Sequence, residues 1–270
     1  MRKMSRKRDF EEKGDQIERQ YEEETLFKEK NKEEFQVIEE VFDRLTLQGM
    51  LKLFNRRVID TIHGVVDAGK EARVYYATDA EDQELAVKIY YTHTAEFKKG
   101  MMQYIQGDPR FKKVRKNTRS MIYTWTQKEF KNLQLCKEAD VNSPRPIDFI
   151  RNILVMTFIG EDGVSAPLLR DLEPLEPESF YSMVLEEMQK MWQKAELAHG
   201  DLSEYNIMNH NEKPVIFDVS QAMLTKHPMA PILVERDIRN INSFFRRLGV
   251  ETQSPDELKE WITGGTEDIY

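Results

Sequence analysis

The stretch from His199 to Asn206 reads HGDLSEYN, an Asp followed five residues later by an Asn. A carboxylate and an amide oxygen on one tight loop suit phosphoryl transfer: Asp201 can orient or deprotonate a nucleophile while the Asn206 oxygen holds a magnesium ion. Further on, the apolar run PVIF leads into Asp218, a second hard oxygen ligand for the same cation. D-x-x-x-x-N is common by itself, and an Asx-turn with a strand-end cap would explain the same letters. The whole constellation is far more specific. Lys88, in LAVKIY, matches the V-A-I-K lysine that meets ATP phosphates, the alternative being a strand lysine facing solvent. Glu129 is its candidate partner. TQKE from Thr126 also reads as a capping box, in which the glutamate would serve its own backbone. The apolar SMIYTW run favours a helix starting near Arg119, which leaves Glu129 mid-helix and free to pair.

A further phosphate signal is GVVDAGKE, Gly64 to Glu71, which fits G-x-x-x-x-G-K until Glu71 stands where a P-loop needs a Ser or Thr hydroxyl. A P-loop runs from strand to helix, whereas ARVYYATD follows here and reads as a strand. A strand, loop, strand unit upstream of an AVK lysine is where kinases place their phosphate-covering loop. Backbone N–H groups near Gly69 and the ammonium of Lys70 can touch phosphate there.

The elements that must carry these residues are legible in outline. Val41 to Ile59 suggests one or two short helices broken near Gly49; TIHGVV, ARVYYAT and ELAVKIY predict an antiparallel meander. The basic, Gly-containing segment 92–118 is long for a connection and reads as a mobile or functional loop. A helix is predicted over 119–137, strands at IDFI and ILVMTFI, a linker from Gly160 to Pro167, and a long helix around 177–198 that delivers HGD. ERDIRNINSFFRRLG reads as an amphipathic helix closed by Gly249, and SPDELKEWITGG as a capped one.

With 270 residues the chain can form one large domain or two lobes. No run of about 18 apolar residues exists, and the first residues lack the apolar core of a signal peptide, so a soluble, cytoplasmic protein without a membrane partner is expected. The single Cys136 sits on a helical apolar stripe as a buried structural thiol. The net charge of −8 argues against wrapping nucleic acid with the whole surface, but residues 1–10 and FKKVRKNTRS from Phe111 are basic patches able to meet phosphates, or else solvated surface.

GKEARVY, AVKIY, LAHGDLSEYNI and IFDVSQA together resemble the RIO family of atypical serine/threonine protein kinases, closest to its Rio1 branch, over nearly all of the chain from Val41. Asp67, Ala68 and Arg73 depart from the family's usual Ser, Thr and Asn around the loop. The resemblance implies an α+β, bilobal protein-kinase-like fold: a charged extension over 1–40, a small β-rich N-lobe over 41–159, and a reduced helical C-lobe over 160–270. Only 52 residues follow Asp218 and none reads A-P-E, so no full activation segment is expected. By resemblance Asp201 is the catalytic Asp, Asn206 and Asp218 hold magnesium (manganese being the alternative ion), and Lys88 binds ATP phosphates with Glu129 as its ion-pair partner. Met156 is the gatekeeper of a VMTFIG hinge, where the backbones of Thr157 and Ile159 pair with adenine. The resemblance further implies a phospho-aspartate at the position of Asp218, which would make ATP hydrolysis a conformational switch. The implied partners are ATP and a small-ribosomal-subunit precursor, contacted through the basic loop around Lys112 to Arg119, with Thr118 or Ser120 as an autophosphorylation site. Two other readings stay open: a catalytically idle RNA- or protein-binding module of the same fold, and a small-molecule phosphotransferase, a class that shares H-G-D-x-x-x-x-N.

Overall fold

The computed structural model describes residues 42–92, 97–111 and 117–264. The charged extension 1–40 and the stretch Lys112 to Lys116 of the basic loop lie outside the described residues. Five antiparallel strands build the first sheet: β1 (Thr61–Ala68), β2 (Ala72–Thr78), β3 (Glu84–Tyr90), β4 (Pro146–Ile150) and β5 (Ile153–Thr157), in the order β1-β2-β3-β5-β4. Side chains alternate across a strand. Along β3, Leu85, Val87 and Ile89 therefore join Ile62, Tyr75, Ile153 and Val155 in a core on one face. Lys88 is sent to the other face by the same alternation.

Helix α1 (Arg44–Asn55) covers the apolar face with Met50 and Leu53. It runs unbroken through Gly49, correcting the expected break: a Cβ there would come within 2.9 Å of Ile153 Cδ1, so glycine serves close packing on the sheet. Asp43 caps the helix through the Thr46 N–H and also accepts from Thr92 Oγ1 and Arg119 Nη2. These bonds outweigh burial and lower its pKa to about 2.

Segment 92–118, expected to be an irregular loop, contains α2 (Phe97–Ile105) and a 3-10 turn at Pro109–Phe111. Met101 and Ile105 pack against Met121, Ile122 and Trp125, an apolar spacing that the flanking basic residues obscure. Helix α3 (Thr118–Glu138) starts on an Asn117 cap, so Glu129 lies mid-helix. Thr126 is no cap: its hydroxyl donates to the Ile122 carbonyl one turn back. The expected linker after β5 is a tight hairpin, β6 (Gly160–Glu161) with β7 (Val164–Ser165). Gly163, at φ +75°, lies against the Tyr76 ring and donates its N–H to Glu84 Oε1.

The C-lobe comprises α4 (Pro177–Gln193), β8 (Leu197–Ala198), β9 (Ile207–His210), β10 (Lys213–Ile216), β11 (Met223–Leu224), α5 (Ala230–Arg247) and α6 (Pro255–Thr263). Helix α4 ends at Gln193, five residues short of the predicted end at 198, and β8 delivers the motif instead. Phe180, Val184 and Met188 of α4, Ile238 and Phe245 of α5, and Leu258 of α6 share one core with Leu133 and Cys136 of α3. Cys136 is fully buried, and burial pushes its thiol up to about 12. Residues 219–229 alone link Asp218 to α5, so no full activation segment stands between them. Among the described residues no helix is long and apolar enough to cross a membrane.

Candidate active site

Between the sheet and the C-lobe lies a crevice of about 460 Å³. Lys88, Glu129, Met156, Thr157, Ile159, Asn206 and Asp218 all line it, together with Val66, Asp67 and Val74 of the β1–β2 unit. Lys70 and Asp201 do not: Lys70 stands exposed at the turn, and Asp201 is exposed on the loop that carries Asn206, both outside the lining. Strand β2 begins directly after this turn, where the Gly69 N–H donates to the Ala72 carbonyl. The strand, turn, strand geometry rules out a P-loop, which requires a helix N-terminus. Glu71 is exposed beside the turn yet feels the site electrostatically: partial desolvation and then the Asp218 charge push its carboxyl up to about 7, against the pull of Lys88.

Lys88 reaches both halves of the site. Its Nζ donates to Glu129 Oε1 at 2.8 Å and to Asp218 Oδ1 at 3.1 Å. Tyr90, two residues along on the same face of β3, gives its hydroxyl proton to the other Glu129 oxygen. Burial opposes the Lys88 charge, but Asp218 and Glu129 outweigh it and hold the ammonium well above its ordinary pKa. Burial likewise favours protonated Asp218, yet Lys88 and the 2.8 Å bond from Ser220 Oγ keep that carboxyl below its usual range. Asp218 sits past the end of β10 in the left-handed region, at φ +56°. A non-glycine residue held there carries strain that surrounding structure must support.

Helix α3 supplies that support. Lys128, fully buried, donates to the carbonyls of Ser220 (2.7 Å) and Ala222, while Asn132 Nδ2 donates to Val219 O (2.8 Å) and Ala222 O (3.1 Å). One helix thus places Glu129 on Lys88 and fixes the loop that follows Asp218. Asn132 Oδ1 in turn accepts from Arg110, which pairs with Asp108.

The HGD loop is held from three sides. His199 Nε2 lies 3.1 Å from the Phe217 carbonyl and Nδ1 3.3 Å from the Asp201 N–H. These partners assign a neutral ring protonated on Nε2, in keeping with a pKa lowered by burial. Buried Asp237 of α5 accepts from the Gly200 N–H (2.8 Å) and the Leu202 N–H (3.0 Å), bracketing Asp201; burial pushes its carboxyl up to about 7 despite those bonds. Gly200 adopts φ +79°, which glycine permits at no steric cost. Asn206 Nδ2 donates to the Asp201 carbonyl at 2.7 Å. That bond uses the amide nitrogen and leaves the amide oxygen for a hard cation, so Asn206 and Asp218 present the donor chemistry that magnesium takes. The Asp201 carboxylate accepts from Gln221 Nε2 at 3.0 Å, and burial raises its pKa.

Lys128, Asn132, Asp237 and Gln221 escaped the sequence reading. Three of them left a signal: Lys128 and Asn132 continue the buried face of α3, and Asp237 interrupts the apolar stripe Leu233, Val234, Ile238, Ile241. A polar residue on a buried stripe needs partners, and here the partners are the catalytic and metal loops.

The RIO domain family model matches residues 73–258. Among curated proteins, the RIO-type serine/threonine-protein kinase Rio1 of Methanocaldococcus jannaschii is 40% identical over 250 residues, covering 92% of this chain and 85% of that protein. The Rio1 of Haloferax volcanii is 37% identical, covering 87% and 80%. Human serine/threonine-protein kinase RIO1 is 36% identical, covering 88% of this chain and 42% of its own. In fold, the Rio2 kinase of Chaetomium thermophilum, solved as an ADP/Mg2+-phosphoaspartate complex, superposes with a TM-score of 0.63 at 21% identity over 83% of this chain and 67% of that one. Family match, curated relatives and bilobal fold agree: the chain belongs to the RIO family of serine/threonine protein kinases, in its Rio1 branch, and is an ATP-dependent phosphotransferase.

Proposed function

We propose that the crevice binds ATP with magnesium and that Asp201 directs the γ-phosphoryl group to an acceptor hydroxyl. The observation that carries this reading is Lys88 bonded at once to Glu129 and Asp218, which presents its ammonium where phosphates and metal must meet. Adenine lies against Val74, Ala86 and Met156, and the Ile159 N–H, taken by no acceptor among the described residues, supplies a hinge donor. Asn206 and Asp218 would hold the magnesium ion, which when bound neutralises phosphate charge. Asp201 accepts the proton of the attacking hydroxyl. Asp67 lines the crevice and adds negative charge near the phosphates, so cation binding and ATP binding support one another.

In this proposal Asp218 can also receive the phosphoryl group, making turnover a switch between two conformations. Support comes from the Rio2 neighbour, described as a phosphoaspartate complex. The process served is maturation of the small ribosomal subunit, a proposal that rests on family resemblance. Thr118 and Ser120 open α3 and are partly accessible, as autophosphorylation sites must be.

Purified protein with magnesium and ATP is expected to autophosphorylate or release phosphate, and Asp201→Ala and Asn206→Ala to lose at least about 100-fold. Full activity in either variant would remove the assignment. Capture of small-subunit rRNA precursors by the protein loaded with magnesium and a non-hydrolysable ATP analogue tests the biological role; failure to enrich them over other RNA counts against it.

A further inference from the structure

Gln221 lies three residues past Asp218, and its backbone is fixed because α3 holds the carbonyls on either side, Ser220 O and Ala222 O. Its side chain crosses to the HGD loop and places Nε2 3.0 Å from Asp201 Oδ2. A carboxylate only accepts, so the amide nitrogen must face Asp201 and the amide oxygen Oε1 must point elsewhere. Among the described residues no donor reaches Oε1. Asp201 keeps lone pairs to spare, since a carboxylate offers about four acceptor positions. Two acceptors of different strength therefore stand side by side on the two loops that carry Asn206 and Asp218: a carboxylate able to take a proton, and an amide oxygen able only to accept a hydrogen bond.

We propose that Gln221 positions water as a phosphoryl acceptor and so sets the balance between ATP hydrolysis and transfer to protein hydroxyls. The inference rests on the reading of Asp201 as the base. Water carries two protons: one faces Asp201, the other Gln221 Oε1, and the pair of contacts fixes the oxygen lone pair toward phosphorus. A serine or threonine hydroxyl has one proton, which Asp201 takes alone, so it gains nothing from Oε1. In the step the water oxygen forms a bond to the transferred phosphorus. The bond from phosphorus to its leaving oxygen breaks, and that oxygen keeps the electron pair, on ADP or on Asp218 if the group has first moved there. One water proton passes to Asp201 and the other stays on the product phosphate.

The test uses the full chain with magnesium and ATP labelled at the γ position. Phosphate release and label incorporated into dephosphorylated casein are read in the same reaction. Gln221→Leu keeps the bulk of the side chain and removes its hydrogen bond to Asp201 together with the proposed acceptor for water; Gln221→Asn is the second variant should the leucine protein fail to fold, judged by calorimetric ATP binding. The ratio of hydrolysis to transfer is expected to fall about tenfold, the worth of one hydrogen bond to the attacking water. A residue that only latches the two loops would depress both reactions together, so a ratio unchanged within about twofold, whatever the absolute rates, overturns the proposal. Wild-type protein lacking both activities overturns the assignment of Asp201 itself, whereas active wild type with an unmoved ratio overturns only the role of Gln221.

Discussion

Lys128→Met isolates a buried cation next to the catalytic machinery. Lys128 has no exposed surface, and its amine meets the carbonyls of Ser220 and Ala222. Burial, then the nearby Arg110 charge, pull its pKa from 10.5 to about 7. An unfolded chain keeps the lysine protonated up to its ordinary pKa, while the folded protein gives up the proton near 7. Between those values the unfolded state binds more protons, so the lysine's contribution to stability is gained as pH rises and lost as pH falls through 7. From about pH 6.5 to about pH 9.5 the gain is roughly 3 kcal/mol. Methionine fills similar space and binds no proton. Its own cost is the orphaned Ser220 carbonyl, about 1–3 kcal/mol, because the Ala222 carbonyl keeps Asn132. At the lower pH the variant also sheds a buried charge, and the two proteins should be close in stability; at the higher pH wild type should lead by about 3 kcal/mol more. Urea denaturation of both proteins at the two pH values measures this. A stability difference that is the same at both refutes the reasoning.

Asp237→Ala leaves the Gly200 and Leu202 N–H groups without their acceptor. The expected loss is about 2–4 kcal/mol of stability by chemical denaturation, and ATP turnover should fall more than ATP affinity by calorimetry, since the adenine crevice is lined by other elements. Gly160→Ala would put a Cβ 2.1 Å from the Val164 carbonyl oxygen, a backbone atom that no rotamer change can clear. A loss above about 2 kcal/mol on thermal denaturation is expected, and an unchanged melting temperature would contradict the tight hairpin.

The motifs were legible because phosphate chemistry demands particular side chains at close spacing: Lys88, Glu129, Asn206 and Asp218 were read from type and position, and all four line one crevice. The sheet was legible through its period-two apolar pattern. What the sequence concealed were contacts made across long separations. Gly49 looked like a helix break because local propensity says nothing of the Ile153 side chain it packs on. The 97–105 helix hid among basic residues whose charges mask its buried side. Lys70 carries the right chemistry for phosphate but stands outside the crevice lining, since β1 extends through Ala68 and places the turn beyond it. Gln221 stands in the IFDVSQA motif, but its contact with Asp201 was hidden because that partner lies 20 residues earlier in the chain.

Helix α3 has a consequence for inhibitor design. A compound that acts by prising this helix off the sheet must separate Glu129 from Lys88 and Tyr90, and at the same time withdraw Lys128 and Asn132 from the backbone of residues 219–222. Those groups would be stranded in a dry interior, at a cost that a small ligand's own contacts struggle to repay. Compounds that fill the adenine crevice disturb none of them. Selectivity should therefore be sought at Met156 of the hinge and Val66 of β1, which both line the crevice, and resistance substitutions should arise there rather than along the helix.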